Sequence, residues 1–178
     1  MDQSALYLSL EEPKRSDHLW RYTPWRRIHP TGTIGEIPEL ESPNVRIIGI
    51  DGEEVSGGIS LDREIVQTED LPEMDPVTDS FLRSITEKSR LVLNVERGFI
   101  SDTPIVLDID AGDSMCALHL SLNIGRMAEF ELVTRIRGEC EWFGLLRTGL
   151  IGEGCNINDV CLSLLDSGTM LRVDSIGI

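Results

Sequence analysis

The sequence predicts a mainly β fold built from short repeated strands behind a small N-terminal helical and α+β segment. Two observations predict it. From Arg90 onward apolar residues alternate with polar ones at a period of two, the pattern of strands with one buried face. Through the same region Gly112, Gly125, Gly138 and Gly152 recur at spacings of 13, 13 and 14 residues, and Gly168 follows after 16. A turn glycine admits positive φ, after which the chain re-enters a strand in the same register. Two such strands make one coil of a flattened parallel β-helix. An antiparallel sandwich or a cupin-like barrel also turns every 8–12 residues or so, and periodicity alone leaves these open.

Taken in order, the chain first presents Asp17-His-Leu-Trp-Arg-Tyr-Thr-Pro-Trp-Arg-Arg-Ile-His29. Ser16 or Asp17 can cap a short helix and Pro24 can open a second. Trp20, Tyr22 and Trp25 are bulky rings that need a surface to bury against, in this chain or a partner. Pro30, Gly32, Gly35, Pro38 and Pro43 make residues 30–43 a linker. Asn44–Ile50 reads as a strand, Asp51-Gly52 as a tight turn, and Glu53–Ile59 as a returning strand. Residues 62–75 are acidic and read as a loop. Asp75-Pro76 starts a helix, with Val77, Phe81, Leu82 and Ile85 on one face and Lys88 and Arg90 near its end.

In the second half, Leu91, Leu93 and Val95 share a face, as do Ile105, Leu107 and Ile109. Leu118, Leu120, Leu122 and Ile124 alternate with His119, Ser121 and Asn123. Phe130, Leu132 and Ile136 alternate with Glu129, Glu131, Arg135 and Arg137. The Ile124-Gly125 and Ile151-Gly152 pairs stand 27 residues apart and would stack on successive coils of a β-helix, burying a continuous core. The division expected is 1–89 for the N-terminal segment and 90–178 for the repeating core.

Composition bounds the function. The net charge is −15, yet residues 1–30 carry five cations against four carboxylates, so the remainder holds −16. An acidic body repels phosphate backbones, which argues against nucleic-acid binding. No apolar run approaches a membrane span and no basic flank precedes one at the N-terminus, so a cytoplasmic location is expected. The four cysteines, Cys116, Cys140, Cys155 and Cys161, form no CxxC pair and read as reduced thiols. Cys155 and Cys116 fall at core positions, and Cys140 lies between Glu139 and Glu141. Cys161 is out of phase with Val160, Leu162 and Leu164, so it is expected to face outward and is the one candidate metal or cluster ligand. His119 reads as a solvated outward histidine, and Asp108 and Asp110 as a solvated strand face. No GxxxxGK[ST] loop and no nucleophile–histidine order suggests an enzyme.

Several stretches resemble the SufB/SufD family of iron–sulfur cluster assembly scaffolds. Trp20-Arg21-Tyr22-Thr23-Pro24 resembles its N-terminal W-[RK]-Y-T-P element. Asp79-Ser80-Phe81, Leu91 to Gly98 and Thr103-Pro104-Ile105 resemble its helix, strand and first coil. Gly125–Leu132 and Leu150–Ile157 resemble its coil turns. The match covers residues 17–29 loosely and 76–178 more continuously. The resemblance implies a right-handed parallel β-helix with an N-terminal helical part, and a non-enzymatic scaffold role. It further implies a SufC-like ABC ATPase and a SufB/SufD-like subunit as partners, and a transient iron–sulfur cluster held with them. The sequence departs from the family in stopping at Ile178 after a strand-like run, so the family's cluster-related residues are not carried over. That apolar run, Leu171 to Ile178, leads to the expectation of a homo- or hetero-oligomer through the C-terminal end of the β-helix. Two other readings stand beside it: a family paralogue acting only as a protein-binding module, and a β-helical acyltransferase. The latter needs hexapeptide units in tandem, whereas the two candidate units here stand 27 residues apart.

Overall fold

The computed structural model describes residues 2–63, 73–166 and 168–178. Its body is a β-solenoid of about three turns with a few N-terminal helices. Among the described residues nine strands form two sheets. One has the order β1-β4-β6-β8 and the other β2-β3-β5-β7-β9. The coiling strands are β3 (Arg90–Val95), β4 (Ile105–Asp110), β5 (Cys116–Ile124), β6 (Glu129–Gly138), β7 (Trp142–Ile151), β8 (Asn156–Leu165) and β9 (Thr169–Gly177). Successive strands cross to the opposite sheet, so each strand lies parallel to the next but one. The stride is 29 residues from β3 to β5 and 27 in every later parallel pair: Leu120 pairs with Arg147, and Leu132 with Asp159. Parallel pairing rules out the sandwich and the barrel, whose neighbouring strands run antiparallel.

The stride turns the period-two pattern into stacked columns. Leu93, Leu107, Leu120 and Leu145 point into the lumen and are fully buried. Each such leucine contributes about 2 kcal/mol of burial free energy. Ile124 pairs with Ile151, and the Gly152 N–H donates to the Ile124 carbonyl at 2.8 Å, as the paired Ile-Gly motifs imply. The two glycines are needed for close approach rather than positive φ. A Cβ on Gly125 would lie 2.5 Å from the Arg97 nitrogen, and one on Gly152 would lie 2.6 Å from the Arg126 nitrogen. Small size is what lets one turn sit on the next.

The free edges of the first coil are covered. Strand β1 (Asn44–Gly49) runs antiparallel to β4, and β2 (Ile59–Asp62) antiparallel to β3. This differs from the hairpin expected across Asp51-Gly52. Only an isolated bridge, Ile48 to Glu54, joins the return to β1. Gly57 and Gly58, at φ 86° and 74°, then swing the chain to the opposite sheet. Both strands thereby occupy edges that would otherwise offer unpaired backbone groups. The acidic loop expected over 62–75 falls mostly outside the described residues.

Helices cover the outer face of the five-stranded sheet. Helix α1 (Gln3–Ser9) packs on α3 (Pro76–Ile85), whose cap is the expected one: Asp75 accepts from the Thr78 N–H at 2.9 Å. A 3-10 turn at His18–Trp20 and helix α2 (Trp25–Ile28) complete the lobe. The aromatic segment finds its surface within this chain. Trp25 stacks edge-on against Trp20 and Phe81, with centroids 5.4 and 5.2 Å apart, and its Nε1 donates to the Tyr7 hydroxyl at 3.1 Å. Trp142 of β7 donates to the Ile28 carbonyl at 2.6 Å, which fastens the lobe to the solenoid. Tyr22 stays exposed at 84%. Linker residues Ile34, Ile37 and Leu40 pack into the same cluster rather than running free.

Candidate functional site

In the first two coils the lumen is lined chiefly by aliphatic side chains, and in the third it turns polar. The stacked columns follow the strand register, with a step of 29 from β3 to β5 and of 27 elsewhere. One column reads Leu91, Leu120, Arg147, Asp174; another reads Ile105, Leu132, Asp159; a third reads Leu107, Thr134, Cys161. Arg147 is completely buried. Its Nη2 donates to Asp159 at 2.6 Å across the lumen, and its Nη1 lies 3.7 Å from Asp174. Arg172, next to it on β9, pairs with the same Asp174. The Arg147 Nε and Nη1 and the Thr134 Oγ1 are buried with no hydrogen-bond partner among the described residues. Such groups are costly in a dry interior, so this part of the lumen is built to meet a polar species, water at the least.

Cys161 belongs to this cluster, which corrects the outward placement expected from its neighbours. Val160, Leu162 and Leu164 face solvent at 46%, 43% and 49% exposure, and Cys161 packs against the core cluster. Strand phase is set from below: Ile157 sits on Phe130, so Asp159 and Cys161 must follow it inward. Burial raises the Cys161 thiol above its ordinary value, while Arg172 and Arg147 pull it back down. A thiolate formed there by metal coordination would be charge-compensated by those two guanidinium groups.

The remaining candidates distribute differently. Cys155 sits over Ala128 as core filler, its thiol 3.1 Å from the Gly125 carbonyl. Cys116 and Cys140 are both fully buried, and burial pushes the Cys116 thiol up to about 12. Neither is poised to react as a thiolate. His119 faces outward but is only 9% exposed, because the helical lobe covers that sheet. Its Nε2 lies 2.8 Å from the Thr148 hydroxyl, and burial, with Arg83 and Arg90 nearby, lowers its pKa to about 3. Its Nδ1 has no partner among the described residues, so no carboxylate orients the ring as a catalytic base requires. Asp108 is likewise not solvated. It is 2% exposed and receives Arg46 at 3.1 Å, Arg135 at 2.9 Å and Arg137 at 3.3 Å. Burial alone would raise its pKa, but hydrogen bonds from the three arginines hold it below the usual carboxylate range.

Among the described residues no group of three or more His, Cys, Asp or Glu side chains is arranged to hold a metal ion. Cys161 is the only thiol in the lumenal cluster, and both nearby carboxylates are engaged by arginine. Iron–sulfur clusters are ordinarily held by four protein ligands, of which Cys161 alone would be one. The residues missed from the sequence, Arg147, Asp159, Arg172 and Asp174, carry a detectable signal: each falls at a lumen position when counted by 27 from an aliphatic residue. Among the described residues no helix is long and apolar enough to cross a membrane. No family model, curated protein or solved structure matches the chain.

Proposed function

We propose that the chain is a non-enzymatic scaffold subunit of iron–sulfur cluster assembly, of the SufB/SufD kind. The observation that carries this reading is Cys161. It is a soft ligand inside a stack of parallel coils, flanked by two arginines and supplied with too few neighbours to close a metal site alone. In the terminal coil, beside the partly exposed Asp159, it offers one ligand to a cluster shared with a partner's ligands. The Trp20–Pro24 element, whose resemblance to the family's N-terminal motif supports the same reading, is seated by the edge-on contact of Trp20 with Trp25, which packs in turn on Phe81.

In the proposed role a SufC-like ATPase supplies nucleotide hydrolysis, and a SufB- or SufD-like subunit completes the ligand set. The test is anaerobic co-expression with such an ATPase and partner, followed by affinity capture and iron and sulfide analysis. The reading predicts a stoichiometric assembly that retains iron and sulfide and loses them on Cys161→Ser. Capture of neither partner, or retention of the full iron and sulfide content by the Cys161→Ser assembly, overturns it.

A further inference from the structure

Among the described residues no helix packs on the outer face of the four-stranded sheet, and along β6 its charges change sign symmetrically about the centre. Because Phe130, Leu132 and Ile136 point into the lumen, the outward residues of β6 read Glu129, Glu131, Val133, Arg135, Arg137. Two acids and two bases flank Val133 at equal distances. Beside Val133 stands Val160 of β8, in register with it, and Leu162 and Leu164 continue the exposed apolar strip. Asp108 and Asp110 of β4 absorb part of the arginine charge, but Arg46 adds a third cation to that end of the face. The face therefore has an apolar centre at Val133 and Val160, an acidic end, and a cationic end bordered on β8 by Leu162 and Leu164.

We propose that this face is a self-complementary interface on which a second copy of the chain packs, sheet on sheet. The symmetry that fits is a two-fold axis lying between the sheets, perpendicular to the strands and passing over Val133. It reverses strand direction and sets β6 over β6 of the second copy. Glu131 then meets the second copy's Arg135, and Glu129 meets its Arg137, each contact occurring twice. Val133 and Val160 fall on the axis line and face their own counterparts. The other in-plane axis, along the strands, sets arginine on arginine and is excluded by charge.

Elsewhere a chain of net charge −15 repels its own copy, so a face that attracts itself is the place where self-association costs least. Two strands of ten residues and two of six, about 4.8 Å apart with about 3.3 Å rise per residue, make a plate of roughly 500 Å² in projection. That is below the roughly 800 Å² per partner of a standard interface, so an association of modest strength, sensitive to salt, is expected. The inference rests on the fold and on these side chains, and it is independent of the scaffold reading.

The experiment is sedimentation velocity on the full chain over a concentration series at low and high salt. Three proteins are compared: wild type, Glu129→Arg/Glu131→Arg and Val160→Asp. The altered residues are outward on their strands, and circular dichroism with thermal melting checks that each variant folds. The proposal expects a reversible wild-type dimer whose dissociation constant rises with salt. It expects that constant to rise more than about tenfold in both variants, since like charges then face each other or a carboxylate enters the apolar centre. A wild type that remains monomeric throughout the series overturns the proposal. So does a dimer whose affinity the folded variants leave unchanged, since it must then use another surface.

Discussion

Arg147 and Asp159 make one ion pair, yet removing either member should have very different consequences. Arg147 is fully buried, whereas the Asp159 side chain is 35% exposed. Replacing Asp159 with alanine strands a guanidinium inside the lumen. Two of its nitrogens already lack hydrogen-bond partners, and its remaining neighbour, Asp174, is shared with Arg172. Leaving a buried charge uncompensated costs about 3–5 kcal/mol. Replacing Arg147 with methionine instead leaves two carboxylates that water already reaches, and Asp174 keeps Arg172. The new thioether buries against Leu120 directly below it in the stack. Replacing a buried ion pair by apolar side chains is often neutral or stabilising, and here the carboxylates left behind are partly exposed and stay hydrated. The expected outcome is a change within about 1 kcal/mol for Arg147→Met and a loss of at least about 3 kcal/mol for Asp159→Ala. Urea unfolding of both variants at neutral pH measures the difference. If Arg147→Met costs as much as Asp159→Ala, the pair contributes to stability as a unit and the burial asymmetry does not govern it.

Asp108→Asn should remove the carboxylate that gathers Arg46, Arg135 and Arg137, at a cost of about 1–3 kcal/mol at pH 7, because the arginines are half-exposed and can rehydrate. The folded pKa of Asp108 is depressed, so its stabilisation is complete above the unfolded value near 3.9 and fades as pH falls through the folded one. Denaturation at pH 7 and again at the lowest pH the fold tolerates should show the wild-type advantage shrinking; a constant gap would speak against the linkage. His119 also has a lowered folded pKa, about 3 against an ordinary 6.5. The unfolded chain then binds the extra proton between those values, so stability should rise with pH up to about 6.5 and level off. His119→Gln should flatten that portion of the profile, and an unaltered profile would mean the ring is not buried neutral. Gly152→Ala should lose about 1–3 kcal/mol through collision with the turn below, read as a lowered melting temperature. An unchanged melting temperature would show that the coils are not packed that closely.

Much of the solenoid is legible from residue order, and the parts that are not have a common cause. Strand faces such as Leu118, Leu120, Leu122 and Ile124 announce themselves because an aliphatic lumen repeats at every second residue. The Asp75-Pro76 start of α3 is legible because capping is local chemistry. Strand β8 misleads because its apolar residues are the outward ones. Local alternation places Val160, Leu162 and Leu164 inside, but the register handed up from Phe130 and Ile157 places Asp159 and Cys161 there instead. Stacking prevails over local pattern because one slipped residue would reverse every side chain of the strand. His119 and Asp108 read as solvated for a related reason. What buries them, the helical lobe over one sheet and three arginines from β1 and β6 on the other, is far away in sequence. Helix α1 has no apolar stripe long enough to be recognised and is held chiefly by packing on α3.

The stacked lumen requires parallel coils, offset by 29 residues from β3 to β5 and by 27 in every later pair. Cross-strand nuclear Overhauser contacts between backbone protons of the isotope-labelled full chain test this directly. The prediction is a set of contacts between residues i and i+27, among them Val106 with Val133, Val133 with Val160, and Leu120 with Arg147. Contacts whose residue numbers instead sum to a constant along each of these strand pairs, as in antiparallel hairpins, would contradict the stacked lumen and the cysteine and arginine cluster placed inside it.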